Sequence, residues 1–388
     1  MVWLSILLVW LLTDVLSTYG VLHRRRAFSR PLAATVEPRA VVIVAIKGTS
    51  DVTPLFFEAL SGQQYRDFRM IFALESMADE AYPALQQLQQ RWDGTRELAI
   101  VVAGVSTRRA QKVHNLLAAL ETLRADDRIV VFADADIVPD ASWLSQLIGP
   151  VAISETTVSC GYRWLLPVSA QLPALIVAAA DIAIATAVRS RHWNLCWGGS
   201  VALDRAALDR LDLPRLWDTV ASDDLTLTRA LRAHGLYLYP PPYVLVPTPI
   251  SPGWNVMMRF IRRQYLLVRV YAPRHWLAAA WTLSVPAIGA VIGILLSLRA
   301  HRWALGFIVT SIALLQVRLS IRRSIAGLVL SSRDQSYARR TLRFARFAWP
   351  LIHLIHLAAF ASSAFGRGFS WAGIHYRIVG KQVKVERC

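Results

Sequence analysis

The chain has 388 residues, 55% of them hydrophobic and only 18% charged, and its 43 Lys and Arg against 26 Asp and Glu give a formal charge of +17. A mean hydropathy of +0.38 excludes an ordinary soluble enzyme and calls for membrane segments. The arginines lie beside apolar runs, which is the pattern of membrane flanks and lipid-headgroup contact and not of nucleic-acid binding. Such a length allows two or three domains. Cys160, Cys196 and Cys388 are too widely spaced for a metal or redox motif, so the sequence points to a reducing compartment with no disulfide framework.

Residues 2–22 are apolar except for a few polar positions and Asp14, and Arg24-Arg25-Arg26 follow at once. A cleaved signal would carry its positive charge in front. Here the charge lies behind, so residues 1–23 read as an uncleaved anchor, with the N-terminus outside and the arginines in the cytoplasm. Residues 38–250 then have mixed α/β character. β-Branched runs at Ala40–Ile46, Phe68–Leu74, Leu98–Val102 and Arg128–Phe132 read as strands, and Arg108–Leu120 has helical spacing. Their alternation predicts a mainly parallel, doubly wound sheet. A further strand is expected over Thr157–Tyr162. The apolar stretch 165–188, broken by Pro167, Pro173 and Asp181, is expected to be a helix that packs on the sheet or lies at the membrane surface.

Composition changes again after Pro252. Residues 252–272 interleave Arg259, Arg262, Arg263 and Arg269 with Trp254, Met257, Phe260 and Tyr265, which predicts an amphipathic helix in the headgroup plane. Residues 275–366 hold the remaining membrane segments. Trp276–Leu298 and Ala348–Gly366 are long enough to span, whereas Trp303–Val317 is short and reads either as a span or as a re-entrant hairpin. Arg318, Arg322, Arg323, Arg339 and Arg340 between them are expected on the cytoplasmic side, and residues 367–388 form a basic tail. Three complete spans after the α/β domain carry that tail to the outside; one surface-bound or re-entrant segment keeps it in the cytoplasm.

The most informative motif is Phe132-Ala133-Asp134-Ala135-Asp136, a buried strand that delivers two carboxylates to its C-terminal edge. Ligands bind at that edge in open α/β sheets. Two carboxylates one residue apart suit Mg²⁺ or Mn²⁺ bound with a diphosphate; capping of the next turn is the simpler alternative. Ser222-Asp223-Asp224 opens a helical pattern. A carboxylate there suits a general base for an acceptor hydroxyl, and it equally suits a helix N-terminus. Arg262 and Arg263 can balance diphosphate charge or meet lipid headgroups. Cys196-Trp197-Gly198-Gly199-Ser200 is a tight glycine turn before an apolar strand. His353 and His356, three apart in an apolar segment, read as packing residues or intramembrane functional groups. His114 reads as helix surface, Asp140 as a turn residue, and Arg163-Trp164 as a candidate for the acceptor side.

This ordered set resembles the ceramide glucosyltransferases and related membrane-bound lipid glycosyltransferases over about residues 40–377. Ile46-Lys47-Gly48 is similar to that family's Lys-Gly turn, Lys112 and Asn115-Leu116 to its Lys-x-x-Asn-Leu element, Asp134-Ala135-Asp136 to its acidic motif, and Trp197-Gly198-Gly199-Ser200 to its acceptor-side turn. Asp224 falls on the family's catalytic base, and Ser370-Trp371, Gly373 and Tyr376-Arg377 resemble its tail element. Two departures stand out. Glu75, or Asp79 beyond it, replaces the aspartate that contacts the nucleotide base. The Arg-Trp motif is replaced by Arg262-Arg263-Gln264-Tyr265, with Tyr265 as the nearest aromatic.

The resemblance implies a GT-A, Rossmann-like nucleotide-sugar domain between an N-terminal anchor and C-terminal transmembrane and interfacial helices. It implies inverting transfer from a UDP-sugar, glucose first, to a membrane-lipid hydroxyl, with ceramide ahead of a hopanoid or diacylglycerol. Asp134 and Asp136 would hold the metal, Asp224 would act as base with Asp223 as its substitute, and Lys47, Glu75, Lys112, Asn115, Asp134, Arg262, Arg263, Gln264 and Tyr265 would face the donor. Trp197, Gly198 and Gly199 would face the acceptor. The catalytic domain would be cytoplasmic, at the inner membrane in a bacterium. A processive polysaccharide synthase would need the full Gln-x-x-Arg-Trp motif and more spans, and a non-catalytic membrane scaffold would tolerate both departures.

Overall fold

The computed structural model describes residues 1–29, 36–92, 96–153, 158–187 and 193–386. Thr157 and Cys388 lie outside them. In chain order the helices are α1 (Val2–Arg26), α2 (Thr53–Ser61), α3 (Ala81–Trp92), α4 (Gln111–Leu120), α5 (Trp143–Ala152), α6 (Leu172–Ala185), α7 (Arg205–Leu211), α8 (Leu213–Leu216), α9 (Asp223–Ala233), α10 (Trp254–Tyr271), α11 (Pro273–Leu298), α12 (Arg302–Val329) and α13 (Ser332–Ser363). The strands are β1 (Ala40–Ala45), β2 (Phe68–Leu74), β3 (Leu98–Val102), β4 (Ile129–Asp134), β5 (Val158–Cys160), β6 (Tyr162–Pro167), β7 (Ser200–Asp204), β8 (Leu238–Tyr239), β9 (Leu245–Ile250), β10 (Gly368–Trp371), β11 (Ile374–Val379) and β12 (Gln382–Glu386). The chain divides into two compact units. One holds Met1–Arg30, Leu165–Val188 and Ile250–Phe365; the other holds Pro31–Trp164, Arg189–Pro249 and Gly366–Cys388.

The second unit is α/β. Its seven-stranded sheet has the order β3-β2-β1-β4-β7-β5-β8. β1 to β4 run parallel, and β7 enters antiparallel to both β4 and β5. Every residue of β1 and β2 is buried, as expected of parallel strands covered on both faces. Register decides where the chemistry lies: Ala45 of β1 pairs with Ala73 of β2 and with Asp134 of β4. The segments just beyond, carrying Lys47, Glu75 and Asp136, therefore leave the sheet at one edge. The chain also turns from one side of β1 to the other between β3 and β4, and such a reversal opens a crevice at the strand ends.

The expected basic tail is an ordered antiparallel sheet, β10-β11-β12. Burial alternates strictly along Ile374–Val379, so one face is covered. Positive φ at Ala372 and Gly373 makes the hairpin turn. This sheet belongs to the α/β unit: Gln111 N–H donates to the Tyr376 hydroxyl at 3.2 Å and Val383 N–H to Thr219 O at 2.7 Å.

The other unit is helical. α1, α11, α12 and α13 are each long and apolar enough to cross a membrane. Gly289 lets α1 approach α11, since a Cβ there would lie 2.6 Å from the Trp10 ring. Asp14, the one acidic residue of α1, pairs with Arg318 Nη2 at 2.9 Å and accepts from Ser311 Oγ at 2.6 Å, so a charge within an apolar helix is met by a partner on α12.

The 165–188 stretch begins in β6 and continues as α6, which buries Ile176, Val177 and Ala178 with Leu165 of β6, Met257 and Ile261 of α10 and Ala359 of α13. Two expectations change. The short segment 303–317 is part of the continuous 28-residue α12, so no re-entrant break occurs in it. The Ala348–Gly366 segment is the end of α13, which begins at Ser332. Arg318, Arg322 and Arg323 lie on α12 and Arg339 and Arg340 on α13, because helix formation continues past the end of the apolar run.

Candidate active site

At the edge of the sheet where Lys47, Glu75 and Asp134 emerge, the α/β unit forms two clusters of charged residues. At the first, Gly48 turns the chain after β1 with φ +67°, and Lys47 Nζ donates to Glu75 Oε2 at 2.8 Å. Asp79 Oδ1 accepts from the backbone of Gly48 at 2.8 Å and of Ala81 at 3.0 Å, while its Oδ2 is 3.9 Å from Lys47. Lys47, Glu75 and Asp79 thus form one cluster, and both acids proposed from sequence belong to it.

The second cluster centres on Lys112, on the first turn of α4. Its Nζ donates to Asp134 Oδ1 at 2.7 Å and lies 3.4 Å from Asp223 Oδ2. Burial alone would lower the lysine's proton affinity, but the charges of Asp134, Asp223 and Asp224 outweigh it and the net shift is upward. Lys112 is therefore a fixed cation. Asp223 is buried, and that burial raises its carboxyl to about 6; Lys112 opposes the rise while Asp224 and Asp134 add to it. Asp224 is more exposed and tightly oriented: Oδ1 accepts from the Ser222 hydroxyl and from Leu225 N–H at 2.7 Å, and Oδ2 from Gly198 N–H at 3.3 Å. Ser222 caps α9 through Leu225 N–H, so the helix N-terminus holds both aspartates in its first turn.

Gly198 and Gly199 are required by contact and not by dihedral strain. A Cβ on Gly198 would lie 2.4 Å from Asp223 Oδ2 and 3.1 Å from Lys112 Nζ; one on Gly199 would lie 2.6 Å from Asp134 Oδ2 and 2.3 Å from the Trp197 ring. The glycine turn is wedged among the carboxylates, with Trp197 packed over it. Asp136 stands at the mouth beyond Asp134. The protein mass around it and the Asp134 charge push its carboxyl up to about 6, although the side chain keeps contact with solvent, and Arg163 and Lys112 pull the other way.

Carboxylates at a strand end are hard oxygen donors suited to Mg²⁺ or Mn²⁺. Among the described residues no three acidic, His or Cys side chains enclose a cation site. Asp134 and Asp136, one residue apart at the end of β4, supply two such donors, which fits a cation whose other ligands are phosphate oxygens and water.

Other expected residues lie elsewhere. Asn115 is fully buried; its amide accepts from Gln111 Nε2 at 2.8 Å and donates to Ala73 O at 3.2 Å. It anchors α4 to the end of β2, with both ends of its amide engaged by the protein. Asp140 accepts from Ser142 N–H, as a turn residue does, and the His114 ring meets Ala103 O. Trp164 is buried, while Arg163 lies over the Tyr162 ring. Arg262, Arg263, Gln264 and Tyr265 belong to α10 of the helical unit. There Arg262 donates to Phe365 O at 2.9 Å and the Tyr265 hydroxyl bonds His356 Nδ1 at 3.0 Å. Sequence reasoning missed Gln111. Its backbone takes the tail tyrosine and its side chain bonds Gly104 O, Asn115 and Ser106 N–H; a polar residue beside Lys112 was the available signal.

The family model of glycosyl transferase family 21 matches residues 5–383. The chain belongs to glycosyl transferase family 21. This is the family of the ceramide glucosyltransferases, and the chain is a glycosyltransferase. No curated protein is significantly similar to it. Among solved structures, the mannosyltransferase PcManGT from Pyrobaculum calidifontis, in complex with GDP-Man and Mn²⁺, is 17% identical over 93% of this chain and 98% of its own, with a TM-score of 0.49. TarS of S. aureus, residues 1–349, is 13% identical over 90% of this chain and 96% of its own, with a TM-score of 0.39.

Proposed function

We propose that this family 21 chain transfers glucose from UDP-glucose to the primary hydroxyl of ceramide, with inversion, at the cytoplasmic face of a membrane. The observation that carries the reading is the Lys112 ammonium held between Asp134 and Asp223 beneath the Gly198-Gly199 turn, with Asp224 oriented beside it. Asp134 and Asp136 would bind Mg²⁺ or Mn²⁺, which neutralises the diphosphate when present. Lys112 supplies a permanent positive charge at the same edge, where the leaving UDP gains charge. Asp224 takes the acceptor proton as the acceptor oxygen bonds to the anomeric carbon and the bond to the diphosphate breaks. Ser222, Leu225 and Gly198 fix the carboxylate for that step and leave it no rotational search. Lys47, Glu75 and Asp79 would meet the nucleotide, and Arg262 and Arg263 would add positive charge toward the diphosphate.

The chain's course supports a topology. The tail sheet is part of the α/β unit, so the number of crossings between that unit and the tail must be even. α11, α12 and α13 cannot all cross. α13 is the one suited to the headgroup plane: Arg333, Arg339, Arg340, Arg343 and Arg346 precede its apolar half, and it packs on α6 and α10. α1, α11 and α12 are then the spans, and Arg24–Arg26, Arg318, Arg322 and Arg323 share the cytoplasmic side with the catalytic unit.

The test is release of UDP by the purified chain in detergent, offered UDP-glucose and separately ceramide, diacylglycerol or a hopanoid. Ceramide-dependent release supports the reading. Release with another lipid alone, or with none, overturns the acceptor, and no release with any overturns the reading. An impermeant maleimide checks topology: Cys388 should label from the cytoplasmic side only, and labelling from outside defeats the even-crossing argument.

A further inference from the structure

Within the helical unit a cavity of about 440 Å³ opens among α1, α6, α10, α11, α12 and α13. That volume lies in the range of small-molecule sites, about 300–1,000 Å³. Its walls are largely apolar, with Trp10, Ala183, Ile294 and Ile308 among them. Its charged and imidazole groups are mostly paired: Asp14 with Arg318 and Ser311, Arg322 with the Thr186 hydroxyl at 3.2 Å, and the His353 ring with Leu283 O at 2.6 Å.

His356 differs. It lines the cavity and is only 8% exposed. Its Nδ1 meets the Tyr265 hydroxyl at 3.0 Å, and its Nε2 is buried with no hydrogen-bond partner among the described residues. A buried ring nitrogen without a partner is disfavoured, so a ligand that pairs with it is favoured over one that cannot. If Tyr265 donates to Nδ1, Nε2 carries the proton and needs an acceptor. If Tyr265 accepts, Nε2 is a lone pair and needs a donor. A hydroxyl or a secondary amide serves both tautomers; a hydrocarbon tail or an ester serves at most one.

We propose that this cavity binds one membrane lipid bearing a hydroxyl or amide beside its chain, with His356 Nε2 pairing that group and the apolar walls holding the chain. Ceramide, the acceptor proposed above, carries both groups, and its choice as the probe rests on that reading. Tyr265 then acts from the cavity side, fixing the ring of His356.

The experiment uses the full chain in detergent and a photoactivatable ceramide with the diazirine in its acyl chain. A phosphatidylcholine probe of equal chain length, which has neither hydroxyl nor amide, is the comparison. The ceramide probe should label peptides of α6, α11 and α12, excess unlabelled ceramide should compete, and the phosphatidylcholine probe should label them weakly. His356→Phe keeps the volume but removes the nitrogen and should lower apparent affinity roughly tenfold, the equivalent of one hydrogen bond. Ala183→Phe fills the chamber and should abolish labelling, and UDP binding by both variants reports that the α/β unit is folded. Equal labelling by both probes, or labelling unchanged in His356→Phe and Ala183→Phe, overturns the site. Specific ceramide labelling without sugar transfer leaves the site standing and removes the acceptor reading. Transfer with an acceptor KM unaffected by His356→Phe, where labelling does depend on His356, leaves both the site and the function and shows that the bound lipid is not the acceptor.

Discussion

Replacing Gly198 by alanine tests the active-site geometry with one methyl group. The new Cβ would lie 2.4 Å from Asp223 Oδ2, 3.3 Å from its Cγ and 3.1 Å from Lys112 Nζ. Ordinary non-bonded contact needs roughly 3.5 Å, so the carboxylate or the turn must yield by about 1 Å. Either movement opens the 3.4 Å approach of Lys112 to Asp223 and pulls Gly198 N–H away from Asp224. Overpacking of this kind costs about 1–3 kcal/mol, and a 1 Å misplacement of reacting groups costs about 100-fold in rate. The expected result is a folded enzyme with a slightly lowered melting temperature and kcat reduced by about two orders of magnitude, read as UDP release in nanodiscs. Gly327→Ala on α12, where a Cβ meets nothing within 4 Å, is the control and should match wild type. A Gly198→Ala enzyme within twofold of wild-type kcat would refute the wedge.

Four further outcomes follow from other contacts. Lys112→Met leaves Asp134, Asp223 and Asp224 without their cation and should destabilise the α/β unit by about 3–5 kcal/mol; Mn²⁺ should raise its melting temperature more than that of wild type, and an equal rise counts against the cluster. Asp14→Leu or Arg318→Met alone should be strongly destabilising while the double variant recovers most of the loss; additive losses would show that the pair is not coupled. Burial holds the Asp223 carboxyl near 6, above the unfolded value of about 3.9, so the folded chain binds more protons between those values and its stability falls as pH rises through them. Asp223→Asn removes that component, and its melting temperature relative to wild type, measured in EDTA, should climb from pH 4 to pH 6.5; a flat difference contradicts the shift. Tyr376→Phe loses the bond to Gln111 and should cost about 1 kcal/mol, with a raised KM for UDP-glucose because α4 carries Lys112; an unchanged KM would leave the tail sheet without influence on the site.

Much of the α/β unit was legible because its signal is local. β-Branched runs ending in polar residues marked β1, β2 and β4, and one shared register then brings Lys47, Glu75 and Asp134 to a single edge. The acidic pair at Asp223-Asp224 was legible as a helix start, but which carboxylate meets Lys112 depends on packing that no spacing records. Asn115 shows the same limit: sequence places it on α4 without saying that its amide faces β2. The tail was missed because Lys381, Lys384 and Arg377 dominate its composition, although the alternation His375-Tyr376-Arg377-Ile378 carried the period of a half-covered strand. α12 and α13 were cut short for a different reason. Apolar length marks where lipid contact ends, whereas a helix continues as long as its backbone bonds and packing allow, and the arginines beyond it are good helix formers. The His356–Tyr265 contact joins residues far apart in sequence, and nothing local announces it.

The most direct measurement is product analysis with labelled UDP-glucose and ceramide in nanodiscs, comparing wild type with Asp224→Asn. The proposed reading predicts a β-linked glucosyl lipid from wild type. In Asp224→Asn, transfer should fall by about 100- to 10,000-fold, the range for losing a general base, while UDP still binds as it does to wild type. No glucosyl lipid from wild type, an α-linked product, or undiminished transfer by Asp224→Asn would contradict it.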